Sequence, residues 1–311
     1  MNILVVRTDK LGDFITALPA INVLKNYNSK NKIIVCIAPL NKSLAEACDF
    51  IDEIIIDNGQ SVFELSHSFK DAKIDACVTL FSNTRVAFAQ FLAKIPKTIA
   101  PATKIAQVFY TNRIKQRRSE VKMAEFEYNL ELTKELFPDI DLTYKQPLLE
   151  FKDVDKKYKD YICFHVGFGG SSDANWTLDE YEILIREVLK NKQNKVILTF
   201  GPDEKHLLED MKKRFKDDNI VLYLSTDGLV EFAKLISTFK VFISTSTGTY
   251  HLASLVGTKT ITFFADTLFA SPKRWKSIGD EKLQQHYMIP QDIEKRKSLF
   301  IELKMGLSMK F

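Results

Sequence analysis

The sequence predicts an α/β protein made of two doubly wound domains, and three observations carry that prediction. Short runs rich in Ile, Val and Phe alternate with longer stretches of helical period, the pattern of buried parallel strands joined by crossover helices. The alternation occurs twice, interrupted by LEFKDVDKKYKD (Leu149 to Asp160), a Lys/Asp-rich segment polar enough to serve as a linker. At 311 residues the chain also exceeds the usual size of one domain. These observations place an N-terminal domain at 1–150, a second domain at 151–290 and a terminal helix at 291–311.

Taken in order, NILVV, KIIVCIA, EIIID and DACVTLF are the expected strands of the first half. YICFHV, KVILTF, IVLYL, VFIS and TITFFA are those of the second. Between them lie stretches of helical length. One is LVEFAKLIS; another opens at TLDE, where Thr177 and Glu180 have capping-box spacing. The last segment, DIEKRKSLFIELKMGL, has apolar residues at helical spacing and no strand after it, so it must dock on a domain. We place it on the N-terminal one.

Composition excludes more than it identifies. An apolar fraction of 45% and a charged fraction of 27% are ordinary for a globular chain, and a net charge of +4 is too small to argue for nucleic acid. Charge is uneven, however. Lys104 to Arg118 carries five cations and no acid, which reads most simply as a solvated helix face. Cys36, Cys48, Cys77 and Cys163 lie apart without CxxC spacing, so buried free thiols in a reducing compartment are expected, and no metal site. The first apolar run precedes the first basic residue, the wrong order for a signal peptide, and no run approaches about 18 apolar residues. A cytoplasmic monomer is the expectation.

In open α/β sheets ligands gather at the carboxyl ends of the strands, so the loops there are where function belongs. Four stand out. In RTDKLGDF, Asp13 reads as an N-cap, but a cap needs one residue and this turn adds Arg7, Asp9 and Lys10. Pro19 suggests a helix that is kinked or starts late, leaving Asp13 in a loop. HVGFGGSSDANW (His165 to Trp176) is a flexible turn or an anion-binding nest, with Gly167, Gly169 and Gly170 letting the backbone approach a ligand. GPDEKHLLEDM sets Asp203 and Glu204 at a helix start, where they suit the dipole or hold ribose hydroxyls. In STSTGTYHLASLVG, Ser246, Thr247 and Gly248 are small and lead into a short helix beginning near Thr249 and ending at Gly257. Such a start favours a phosphate, and His251 falls within reach of it.

Read together and in this order, RTDKLGDFITALPAINVLK, FHVGFGGSSDANWTLDEYEIL, GPDEKHLLEDM and STSTGTYHLASLVGTKTITFFA resemble glycosyltransferase family 9, the ADP-heptose:lipopolysaccharide heptosyltransferases and their relatives. The resemblance implies a GT-B fold, two Rossmann-like domains facing across a cleft with the acceptor on the first and the nucleotide-sugar on the second. It implies inverting, metal-independent transfer, most simply of heptose from ADP-heptose, onto a lipopolysaccharide or lipooligosaccharide core. It implies no cofactor. Asp13 takes the place of the general base, and Glu204 that of the ribose-binding acid. Gly169, Gly170, Ser246, Thr247, Gly248 and His251 would hold the donor, while Arg7, Lys10, Arg113, Lys115 and Arg117 would meet phosphate on a glycolipid acceptor at the inner leaflet, with the enzyme peripheral on that membrane. Two positions depart from the pattern: Ser246 stands where relatives have Asp, and Ala174 where many have Lys. They leave open a different nucleotide-sugar, or a relative that binds without catalysis.

Overall fold

The computed structural model describes residues 1–103, 105–168, 175–216 and 219–311. The chain forms two compact units, Met1–Leu148 and Leu149–Phe311.

The first unit holds a sheet of β1 (Asn2–Arg7), β2 (Lys32–Ile37), β3 (Glu53–Ile56), β4 (Ala76–Thr79), β5 (Lys97–Pro101) and β6 (Asn112–Ile114), in the order β3-β2-β1-β4-β5-β6. Every neighbouring pair is parallel, so all carboxyl ends lie at one end of the sheet. The helices are α1 (Leu11–Tyr27), α2 (Lys42–Glu46), α3 (Val62–Asp71), α4 (Thr84–Leu92) and α5 (Glu125–Lys134). Strands β1 and β2 are central, which is why they read as unbroken apolar runs: Ile3, Leu4, Val5 and Val6 are all buried, as are Ile33 to Ile37.

The second unit repeats the design with β7 (Ile162–His165), β8 (Val196–Phe200), β9 (Ile220–Leu224), β10 (Val241–Thr245), β11 (Thr260–Ala265) and β12 (Gln284–Ile289), in the order β12-β11-β10-β7-β8-β9. These pairs too are parallel. Its helices are α6 (Leu178–Val188), α7 (Lys205–Arg214), α8 (Leu229–Ile236), α9 (Gly248–Leu255), α10 (Pro272–Trp275) and α11 (Ile293–Lys310). The capping box at α6 is made: Glu180 N donates to Thr177 Oγ1 at 3.2 Å, and Thr177 N donates to Glu180 Oε2 at 2.7 Å.

Three expectations need correcting. The terminal helix α11, expected on the N-terminal domain, has its apolar side built into the second unit: Leu303 and Leu307 belong to that unit's core, and Phe300 lies against Trp176 with ring centroids 5.3 Å apart. Its polar side reinforces this, since Arg296 donates to Asn175 O and Glu180 Oε2 at 3.1 and 2.9 Å. Helix α1 begins at Leu11 with Lys10 as N-cap, so Asp13 is neither a cap nor a loop residue but sits in the first turn. Pro19 is accommodated inside the helix, which continues to Tyr27. The described part of the basic stretch, 105–118, is no α-helix. It contains a 3₁₀ turn, Ile105–Phe109, and the edge strand β6.

Candidate active site

The charged turn after β1 is a closed ionic cluster. Arg7 ends β1 inside the unit with its side chain 2% exposed, a placement that is tolerable only if every N–H finds a carboxylate. It finds three. Nε donates to Asp9 Oδ1 at 2.8 Å, Nη2 to Asp13 Oδ1 at 2.6 Å and Nη1 to Glu125 Oε1 at 3.2 Å. Glu125, buried in the first turn of α5, also accepts from Arg118 Nη1 at 2.5 Å, and that guanidinium lies 5.5 Å from the ring centroid of Tyr128. Burial alone would lower the Arg7 pKa, but the fields of Asp9, Asp13 and Glu125 raise it above the usual guanidinium value. Burial pushes the Asp9 carboxyl up to about 6, against the pull of Arg7 and with the charge of Asp13 adding to the rise.

Asp9 and Asp13 stay partly open, with side chains 21% and 20% exposed, whereas Glu125 is buried. In Asp13 only Oδ1 has a hydrogen-bond partner among the described residues, so one oxygen is anchored on Arg7 and the other is without one. Thr16 Oγ1 donates to Asp13 O at 2.7 Å, and Asn129 Nδ2 donates to Thr16 O at 3.1 Å, tying α1 to α5 behind it.

On the second unit the carboxyl ends of β7, β8 and β10 bring together most of the remaining candidates. Helix α9 starts at Gly248 soon after β10, and the side chain of its N-cap, Thr247, accepts no capping bond from a helix N–H. The Thr247 and Thr249 hydroxyls pair with each other at 2.9 Å instead, so the first-turn N–H groups are left uncapped by side chains. Ser246 N donates to Phe263 O at 2.8 Å, which fixes the turn to β11. Gly257, at φ +76, closes the helix in the left-handed conformation expected of a terminating glycine. His251 is buried, with Nδ1 3.0 Å from Ser277 Oγ, and burial lowers its pKa to about 3. It is therefore a neutral imidazole, able to orient a ligand by hydrogen bonding but not to neutralise one by charge.

Glu204 folds back over its own turn: Oε2 accepts from Gly201 N at 2.7 Å and lies 3.8 Å from His165 Nε2. Its carboxylate fills the space a side chain would need at position 167, where a Cβ would stand 1.9 Å from Glu204 Oε1. A side chain at 167 would have to displace that carboxylate. Burial lowers the pKa of His165, opposed by Glu204. Gly169, Gly170 and Ala174 lie outside the described residues. Next to them, Asn175 Oδ1 accepts from the hydroxyls of Tyr181 and Thr245, so the loop after β7 is tied to the end of β10.

Of the remaining candidates, Lys10 is exposed beside the first cluster. Lys115 and Arg117 follow the carboxyl end of β6, and Arg113 is exposed on that strand. Glu125 and Arg118 were missed as members of the Arg7 cluster, because 118 residues separate Arg7 from Glu125 and the stretch around Glu125 has no motif. Among the described residues no group of three or more His, Cys, Asp or Glu could hold a metal ion. No helix among them is long and apolar enough to cross a membrane.

Comparison with known proteins bears directly on this arrangement. A glycosyltransferase of Haemophilus influenzae is 33% identical over 97% of this chain and 92% of its own length. Lipooligosaccharide heptosyltransferase 2 of Campylobacter jejuni is 24% identical, covering 86% of this chain and 82% of that protein. Among solved structures, ADP-heptose LPS heptosyltransferase II of E. coli superposes with a TM-score of 0.78 at 16% identity, covering 98% of this chain and 99% of the other. An E. coli heptosyltransferase solved with ADP gives 0.77 at 17% identity, covering 98% and 100%. The two parallel six-stranded sheets are thus those of a GT-B fold. The pattern of Glycosyltransferase family 9 (heptosyltransferase) matches residues 62–300, and with it the chain belongs to glycosyltransferase family 9, as a heptosyltransferase-like glycosyltransferase.

Proposed function

We propose that the chain transfers heptose from ADP-heptose, with inversion and without a metal, onto a phosphorylated lipopolysaccharide or lipooligosaccharide core, using Asp13 as general base. The observation that carries this reading is the geometry of Asp13, one oxygen held by buried Arg7 and the other open. A sugar hydroxyl is far too weak an acid to be deprotonated beforehand, so its proton passes to Asp13 Oδ2 as the acceptor oxygen bonds to C1. The bond from C1 to the diphosphate oxygen breaks in the same event, and the electron pair leaves with the nucleoside diphosphate. That departing charge is met by the N–H groups and dipole at the start of α9, which act without reorganising. Glu204 takes the ribose hydroxyls. Arg7 has its donors committed to carboxylates and serves as a positioning residue; Lys10, Lys115 and Arg117 are the cations for acceptor phosphate.

ADP as the nucleotide is supported by the neighbours solved with ADP and with ADP-2-deoxy-2-fluoro heptose. A second reading, a different donor sugar, is favoured by Ser246 and Ala174. Two measurements test the proposal. Asp13→Asn is expected to bind ADP as the parent does and to lose at least about 100-fold in kcat; unimpaired turnover removes Asp13 from the mechanism. Calorimetry with ADP, UDP and GDP is expected to favour ADP, and a preference for either of the others overturns that assignment.

A further inference from the structure

Two acids open the turn after β8, and the fold treats them differently. Asp203 is exposed, as suits a first-turn acid that serves only the helix dipole. Glu204 is drawn inward, its side chain 16% exposed, and its carboxylate is bounded on three sides. Gly201 N donates to Oε2 at 2.7 Å. His165 Nε2 lies 3.8 Å from the same oxygen, too far for a hydrogen bond but near enough for an N–H dipole to attract the charge. The third side is the bare Cα of Gly167, where a Cβ would meet the carboxylate at 1.9 to 2.3 Å. Only Oε2 has a hydrogen-bond partner among the described residues, which leaves Oε1 without one.

His165 is itself held in place. It closes β7 opposite Thr199 of β8, with Thr199 Oγ1 3.1 Å from Nδ1, and its ring lies against Phe232 and Phe242 with centroids 6.2 and 5.9 Å away. Burial lowers its pKa, so the ring is neutral and carries one proton. A carboxylate facing Nε2 draws that proton to Nε2, and Thr199 is then the donor to Nδ1. We propose that Gly167, His165 and Thr199 are positioning residues for sugar selectivity, fixing the Glu204 carboxylate with Oε2 held inward and Oε1 left to accept from a ribose hydroxyl. A carboxylate set in advance loses little freedom on binding, and a sugar lacking the hydroxyl leaves it unpaired, so discrimination against deoxyribose depends on the residues that set it. The proposal rests on the reading of Glu204 as the ribose acid and adds what makes that acid selective.

The test is calorimetry of the full chain with ADP, 2′-deoxy-ADP and 3′-deoxy-ADP, read as the ratio of Kd for each deoxy nucleotide to Kd for ADP. In the parent at least one ratio is expected to reach about tenfold or more, and Glu204→Ala should abolish it. Gly167→Ala displaces only the end of a flexible side chain, and Thr199→Val removes a single hydroxyl, so both keep the question open should His165→Leu not fold. Each of the three should bring the ratio to within about threefold of unity by weakening ADP while leaving the deoxy nucleotide unchanged. A merely structural defect would weaken every nucleotide alike and preserve the ratio. If Glu204→Ala abolishes the discrimination and any of the other three variants keeps it, the proposal is overturned and the ribose reading stands. If the parent does not discriminate, or Glu204→Ala still does, the ribose reading falls and the proposal falls with it.

Discussion

Burying a guanidinium without partners costs several kcal/mol, yet Arg7 is 2% exposed at the end of a central strand. The three carboxylates around it explain both why the turn is so charged and why its charges are not spread toward solvent. Removing any one leaves another uncompensated, so the cluster should act on Asp13 as a unit. Arg7→Gln and Glu125→Gln should each lower kcat by about tenfold or more with little change in KM for the donor. Steady-state kinetics beside urea unfolding decide it: a purely structural role would reduce stability and leave kcat of the folded protein in place.

At the scale of elements, the terminal helix makes the sharpest prediction. Leu303 and Leu307 are buried in the second unit's core, so Leu303→Ala should cost that unit about 2–5 kcal/mol. Both tryptophans, Trp176 and Trp275, lie in the second unit, so urea unfolding followed by tryptophan fluorescence reads it alone. An unchanged midpoint would contradict the docking. The sequence located this helix but not its seat, because its apolar residues fall on more than one side: Leu303 and Leu307 are buried while Ile293, Ile301, Met305 and Met309 are exposed. Strands show the same division between what a sequence carries and what packing decides. The nine apolar runs all became strands, whereas β5, β6 and β12 were invisible. KTIAP holds a proline, NRI has three residues, and QQHYMI is polar and only half-buried as an edge strand, so none presents an apolar run. The places of Asp13, Glu204 and the start of α9 beyond the carboxyl ends of β1, β8 and β10 were legible from local spacing, while the meeting of Glu125 and Arg118 with the Arg7 cluster depended on a contact across the unit.

For the molecule as a whole, two units with separate cores imply two unfolding events whose responses to pH and ligand differ in sign. His251 has a folded pKa of about 3 against about 6.5 when unfolded, so the unfolded state binds the proton first. The second unit therefore loses stability as pH falls below about 6.5, by about 2 kcal/mol from His251 alone at pH 5. Burial lowers His165 and His286 as well, and both belong to the same unit. Asp9, in the first unit, works in the opposite direction: burial raises its folded pKa to about 6 from 3.8, so the folded state takes up the proton first. Its contribution grows as pH falls from 7 toward 4. Lowering the pH from 7 to 5 should thus bring the second unit's transition down in temperature without lowering the first unit's through Asp9. ADP should act on the same transition in reverse, raising it by about 2.7 kcal/mol at 100 times its Kd. Thermal scans that follow tryptophan fluorescence for the second unit and far-ultraviolet dichroism for both would separate the events. If the two signals moved together under acid and under ADP, the units would be one cooperative body, and the assignment of the nucleotide to the second unit alone would have to be given up.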